Sequence, residues 1–203
     1  MTRKLTVDDL DEPEDLSEWK HPLSLGLRKK SPSERGAWWE EKCIELMKED
    51  YGNIFSGIEK FSKKKVIENE SHVSLKSDAV PDGTFKNQKG KRKYTEAKCA
   101  TKRKDGSYEV CRLKIYDNGE NGNDVFEYLC ISYIHPTIGV IIRSMTHAEC
   151  VKGVQLGIFK YVDAWNGYGF RINNFEDFCV DELTMYDGLG CIGVHECGKC
   201  EGV

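Results

Sequence analysis

Residues 81–98 read Pro81-Asp82-Gly83-Thr84-Phe85-Lys86-Asn87-Gln88-Lys89-Gly90-Lys91-Arg92-Lys93-Tyr94-Thr95-Glu96-Ala97-Lys98. Gln88-Lys89-Gly90-Lys91 has the composition of a hairpin tip, since glycine adopts the positive φ that a tight turn needs. Folding about this tip predicts two antiparallel strands with Asp82 opposite Glu96 and Ala97, at a cross-strand spacing of about 5 Å. Glu96 and Lys98 stand two apart on one strand and so share a face. Two carboxylates and one ammonium then converge on one spot. Crowded carboxylates repel, which is costly unless a cation sits between them. Asp82, Glu96 and the backbone at Ala97 supply oxygen donors alone, which suit Mg²⁺ or Mn²⁺ better than zinc. The Glu-x-Lys triplet by itself carries little, because Glu18-Trp19-Lys20 and Glu40-Glu41-Lys42 repeat it. Strand context singles out Glu96. The plain alternative is a surface hairpin with an ordinary cross-strand salt bridge, and Asp78 is a second candidate for the metal aspartate.

Around this segment the chain reads as α/β, a mixed central sheet flanked by helices. Ser31-Pro32-Ser33-Glu34 starts a helix, with a serine cap and a proline in the first turn. Ala37, Trp38, Cys43, Ile44, Leu46 and Met47 carry an amphipathic face to about Asp50. A short helix is expected over Ile58–Lys65. Strands are expected over His72–Val80, Tyr94–Thr101 and Val110–Tyr116. Phe126–Ile134 is apolar enough for a central strand buried on both faces. His135-Pro136-Thr137 turns the chain into a strand over Ile138–Met145, and Thr146 caps a helix over His147–Trp165. Residues 1–30 show no clean period and read as an acidic, irregular arm. Residues 31–175 make the main domain, and 176–203 a cysteine-rich end.

Of the 203 residues, 39% are hydrophobic and 32% charged, which favours a soluble globular chain. No apolar run approaches the roughly 20 residues that cross a bilayer, and acidic Met1–Asp15 is unlike a secretory signal. Nine cysteines, an odd number scattered through core segments, point to free thiols in a reducing intracellular compartment. The net charge is -4, but Lys60–Lys114 holds sixteen Lys/Arg against seven Asp/Glu. Such a basic middle suits contact with phosphates at one face. Lys89, Lys91, Arg92, Lys93, Lys102 and Arg103 are the candidate contacts to a nucleic-acid backbone, as is the run Lys63–Lys65; Tyr108 and His135 are candidates to touch bases.

Asp82…Glu96-Ala97-Lys98 resembles the signature of the PD-(D/E)xK nuclease superfamily. Arg35-Gly36-Ala37-Trp38-Trp39-Glu40 is similar to that family's first helix, in which a glutamate four residues after a glycine lies near the metal. A strand bearing Glu-x-Lys, followed by a run like Phe126–Ile134 and a return strand, completes a likeness over residues 33–165. The resemblance implies a restriction-endonuclease-like fold and hydrolysis of phosphodiester bonds in double-stranded DNA. It implies catalytic Asp82, Glu96, Lys98 and Glu40, with Lys98 steadying developing negative charge or helping to deprotonate water. A homodimer is expected, so that two sites address two strands. A restriction role comes first and a phage or viral recombination or junction nuclease second. A non-catalytic binding module is the rival from another class. Cys197-x-x-Cys200 is a zinc half-site that Cys191 and His195 could complete, with spacing tighter than a common finger and Cys179 as a substitute ligand. A ligand-free flexible tail is one alternative, and an iron–sulfur cluster with Cys43 as its early ligand, as in some members of that superfamily, is another.

Overall fold

The computed structural model describes residues 16–61, 81–103, 105–115, 126–165, 167–172, 184–186 and 191–194. Asp78, the strand expected over His72–Val80, Lys63–Lys65, Cys179, His195, Cys197 and Cys200 lie outside the described residues. Among the described residues ten strands form one mixed sheet: β1 (Ser56–Lys60), β2 (Gly83–Lys86), β3 (Arg92–Lys102), β4 (Tyr108–Leu113), β5 (Tyr128–His135), β6 (Gly139–Thr146), β7 (Lys160–Val162), β8 (Gly167–Ile172), β9 (Thr184–Tyr186) and β10 (Cys191–Val194). The path runs β10-β9-β6-β5-β3-β4-β8-β7, with β2 on β3 and β1 on β2. Every pairing is antiparallel except β3 with β5. Three helices, α1 (Pro22–Arg28), α2 (Pro32–Tyr51) and α3 (His147–Gln155), complete the α/β architecture. None of the described helices is long and apolar enough to cross a membrane.

The start of α2 follows from its capping box. The Glu34 N–H donates to Ser31 Oγ at 3.3 Å, and the Ser31 N–H returns to Glu34 Oε2 at 2.8 Å. Two backbone donors that the helix itself leaves orphaned are thereby satisfied. The inner face of α2 buries Trp39, Cys43, Ile44, Leu46 and Met47 against Ile58, Phe85, Ala97 and Cys130. Trp39 Nε1 donates to the Cys130 carbonyl at 3.0 Å, which locks the helix onto the central strand. β5 is buried along six of its eight residues, as a strand covered on both faces must be. The opposite face holds Leu129, Ile131, Tyr133, Ile141, Met145, Cys150, Phe159 and Phe170. Cys43, Cys99, Cys111, Cys130 and Cys150 are free thiols.

Four expectations are corrected. Residues 16–28 are no loose arm: after a 3₁₀ turn at Leu16–Glu18, α1 buries Leu27 beside Trp19, Ile134 and Val140. The N–H groups of Lys20 and His21 both donate to the Pro136 carbonyl at 3.0 Å, and Ser24 Oγ to the Gly139 carbonyl at 3.1 Å. Seven residues are too few to display a helical period. Ser56–Lys60 is a strand, not the beginning of a helix, because its backbone pairs with β2 from Ser56↔Lys86 to Lys60↔Gly83. The helix starting at His147 ends at Gln155, well before Trp165. Gly157 takes a φ of +71° there, and the N–H groups of Ile158 and Gly157 donate back to the carbonyls of Gly153 and Val154. That pattern is a Schellman stop. Finally, β9 and β10 continue the main sheet beyond β6, so the fold runs across the boundary expected at residue 175.

Gly83 marks the tightest contact between α2 and the hairpin. A Cβ there would lie 2.4 Å from Ile44 Cδ1 and 2.6 Å from Thr95 Cγ2. Gly83→Ala is expected to destabilise the fold by about 1–3 kcal/mol, the usual cost of overpacking a filled core. Chemical denaturation measures this, and an unchanged midpoint would contradict the packing described.

Candidate active site

The hairpin forms about Asn87–Lys91. Asn87 Oδ1 accepts from the N–H groups of Lys89 and Lys91, both at 3.0 Å, and Gly90 takes a φ of +72°. The side chain of Asn87 thus closes the loop in the way an Asx turn does. Below it the register runs Lys86↔Arg92, Phe85↔Lys93, Thr84↔Tyr94 and Gly83↔Thr95. The ladder extends one step further, since the Asp82 N–H donates to the Thr95 carbonyl at 3.1 Å. Glu96 comes next, opposite Asp82.

Asp82 Oδ2 accepts from the Ala97 N–H at 2.8 Å and lies 3.9 Å from Lys98 Nζ. Lys98 Nζ also donates to Glu96 Oε1. Parallel pairing with β5 sets Glu96 beside Leu129 and Lys98 beside Ile131, both fully buried. The apolar neighbours decide the electrostatics. Burial pushes the Glu96 carboxyl up from 4.5 to about 7; Lys98 opposes this, while Asp82 and Glu40 add to it. Burial raises Asp82 as well, against Lys98 and the Ala97 N–H. Burial works against the charge of Lys98, but Glu96 and Asp82 outweigh it and hold the ammonium above its ordinary value.

Glu40 follows the buried Trp39 on α2 and reaches the rim of this cluster. Its charge acts on Asp82, Glu96 and Lys98 alike. It pairs with Lys60 Nζ at 3.1 Å, and this contact, opposed by slight burial, raises the Lys60 ammonium. Lys60 was not legible as a site residue while its segment read as helix. As the end of β1 it pairs with Gly83 and stands next to Asp82. The alternation around the buried Ile58 was the signal available.

The basic residues are not gathered into one patch. Lys89 and Lys91 are exposed at the hairpin tip. Arg92 Nη1 donates to Thr84 Oγ1 at 3.4 Å, and Lys93 pairs with Glu127 at 2.5 Å. Lys102 pairs with Glu18 at 3.6 Å and lies over the Trp19 ring, while Arg103 pairs with Glu109 at 2.7 Å. Tyr108 donates to the Ile134 carbonyl at 3.2 Å. With Lys102 and His135 it lines an open cleft at the far end of β3 and β5. Cys191 opens β10, the strand at the end of the sheet path beyond β9.

Among the described residues no three His, Cys, Asp or Glu side chains come together as a ligand set. A cation here would rest on two carboxylates, Asp82 and Glu96, and on backbone oxygen at Ala97. The donor chemistry fits a hard divalent ion. So does the charge: with both acids ionised, two desolvated carboxylates share the single ammonium of Lys98. Comparison of the chain with protein-family models, curated proteins and solved structures found no match.

The raised Glu96 carboxyl has a consequence for stability. Its proton is held more tightly in the folded chain than in the unfolded one, so folding stability falls as pH rises from about 4.5 to about 7 and stays reduced above. Glu96→Gln imitates the protonated acid at every pH. In thermal unfolding, the variant is expected to match the wild type near pH 4.5 and to exceed it by pH 8. Parallel pH profiles for the two proteins would mean that Glu96 does not bear this burden.

Proposed function

We propose that the chain is a metal-dependent endonuclease hydrolysing DNA phosphodiester bonds on a restriction-endonuclease-like fold. The observation that carries this reading is the meeting of Asp82, Glu96 and Lys98 from two paired strands, where burial raises both carboxyls. An exposed salt bridge contributes at most about 1 kcal/mol and has no use for a second, desolvated carboxylate. The order of elements also supports the reading: a helix bearing Glu40, then the hairpin, then β5 and its return strand β6.

Asp82, Glu96 and the Ala97 carbonyl would hold Mg²⁺ or Mn²⁺. The bound ion would supply Lewis acidity toward a phosphoryl oxygen and toward water. Lys98 keeps its proton, so it acts as a fixed positive charge that steadies negative charge gathering on the phosphoryl group. This favours an electrostatic role for Lys98 over that of a base. Burial raises the Glu96 carboxyl, so uptake of the cation would release a proton as Glu96 becomes a ligand. Glu40, tethered by Lys60, adds negative charge at the rim. Double-stranded DNA as substrate and a homodimer with one site per strand follow from the same reading, with a restriction role first and a recombination or junction nuclease second.

Plasmid nicking tests it. The wild type is expected to cut with Mg²⁺ or Mn²⁺ and to stop with EDTA. Lys98→Ala is expected to lower the rate by about 10²–10³, the usual effect of deleting one transition-state charge partner. Asp82→Ala should leave no detectable cutting, with circular dichroism unchanged. Discrete fragments would indicate a sequence-specific enzyme and smears a non-specific one. A wild type that binds DNA but never cuts, with either ion and from pH 6 to 9, would leave the binding module as the reading.

A further inference from the structure

At the end of β3 remote from the hairpin lies a cleft of about 490 Å³ that the proposed chemistry leaves unused. Its walls include Glu18, Lys20, Lys102, Tyr108, His135 and Thr137. Lys102 is the last residue of β3 and His135 the last of β5. These strands are the parallel pair among the described residues, so their carboxyl ends share one edge of the sheet. From that edge the chain passes to β4 on one side and to β6 on the other. Two connections that diverge in this way leave a crevice between them, and open sheets with parallel strands bind ligands there. The volume falls in the range of about 300–1,000 Å³ that small organic ligands occupy.

The polar groups of the cleft are mostly cationic. The Lys102 side chain is 16% exposed, and its ammonium lies 5.6 Å from the centre of the Trp19 ring. Its carboxylate neighbour is Glu18 at 3.6 Å, whose own side chain is 70% exposed. A pairing so open to water is weak, and an incoming anion can replace it. Arg28 also lies 5.6 Å from the Trp19 ring, and with Arg35 it lines a small cavity that shares Lys102 with the cleft. Lys20 adds a second ammonium at the rim. His135 supplies an uncharged donor. Its Nδ1 accepts from the Thr137 N–H at 3.3 Å, which puts the ring proton on Nε2. Burial, and then Lys102, push the imidazole below its ordinary value, so the ring is neutral near neutral pH. Tyr108 commits its hydroxyl to the Ile134 carbonyl at 3.2 Å and leaves the cleft an apolar wall.

We propose that this cleft binds a small phosphomonoester, with Lys102 and Lys20 holding the phosphate and the organic part resting against Tyr108 and Pro136. A phosphate dianion offers three acceptor oxygens, so it can take donors that arrive from separate elements. A carboxylate has two oxygens in one plane and suits such a scattered set less well. Asp82, Glu96 and Lys98 do not line the cleft, so this site stands apart from the nuclease reading.

Isothermal titration calorimetry of the full chain tests the site with two probes, deoxyadenosine monophosphate and phenyl phosphate. Deoxyadenosine and phenol are the controls that lack phosphate. At least one phosphorylated probe is expected to bind roughly tenfold more tightly than its control, the scale of one charged hydrogen-bonded contact. K102Q should erase that difference. K20Q, altered at the open rim, should weaken binding by roughly threefold. E18Q removes the competing carboxylate and is expected to tighten binding by roughly threefold, a gain that a purely structural ion pair would not give. Circular dichroism checks the fold of K102Q, and K20Q and E18Q, both at exposed positions, carry the test should K102Q fail to fold. Phosphorylated probes that bind no better than their controls would overturn the proposal, as would K20Q and E18Q that both match the wild type. So would a wild type that takes neither probe while K102Q loses binding to duplex DNA in EDTA, since the cleft would then serve a nucleic-acid backbone. Plasmid nicking through Asp82 and Lys98 is scored separately, so either reading can fail alone.

Discussion

One hydrogen bond holds the candidate site together, that from the Ala97 N–H to Asp82 Oδ2 at 2.8 Å. It is possible because the turn at Asn87–Lys91 sets the hairpin register, and a slip of one residue would send Asp82 to the opposite face. With Asp82 anchored on the backbone of β3, its carboxylate cannot retreat from Glu96 or from Lys98. The three charges are therefore forced into one small volume. Everything proposed about chemistry follows from that enforced proximity.

The enforcement has an energetic cost, which the rest of the fold offsets. Two carboxyls raised by burial weigh against folding near neutral pH. Against them stand the large apolar clusters on either side of β5 and the locking of α2 through Trp39 and Cys130. Core burial of this size contributes far more than one unfavourable ionisation removes. A protein can keep such a site only on a scaffold with stability to spare, and the helix that supplies much of it also carries Glu40 to the rim. Packing and chemistry share the same element.

The mixed sheet explains why the site opens where it does. β3 has antiparallel neighbours β2 and β4 and a parallel neighbour β5. β2 pairs with it as far as Thr95, and β5 pairs with it from Thr95 to Ala100, which seats Glu96 and Lys98 from the β5 side. The pairing of β3 with β4 is brief, limited to Thr101↔Glu109 and Lys102↔Tyr108. Paired with β5 on one side and unpaired on the other, the middle of β3 holds Glu96 and Lys98 in place beyond the end of β2.

Several features were legible from the chain alone, because they depend on neighbours close in sequence. The hairpin tip, the Ser31 and Thr146 caps, the apolar stripe of α2 and the unbroken hydrophobic run of β5 are of this kind. So was the meeting of Asp82 with Glu96, since a short turn leaves few ways to pair its arms. Only tertiary structure decided the rest. Ser56–Lys60 became a strand because β2 offered it a backbone to pair with, and this brought Lys60 beside Asp82. Residues 16–28 were ordered by the Pro136 carbonyl and by Ile134 and Val140, partners more than a hundred positions away. Local physics chose the elements, and long-range pairing chose which charges face one another, because register between distant strands depends on the whole sheet.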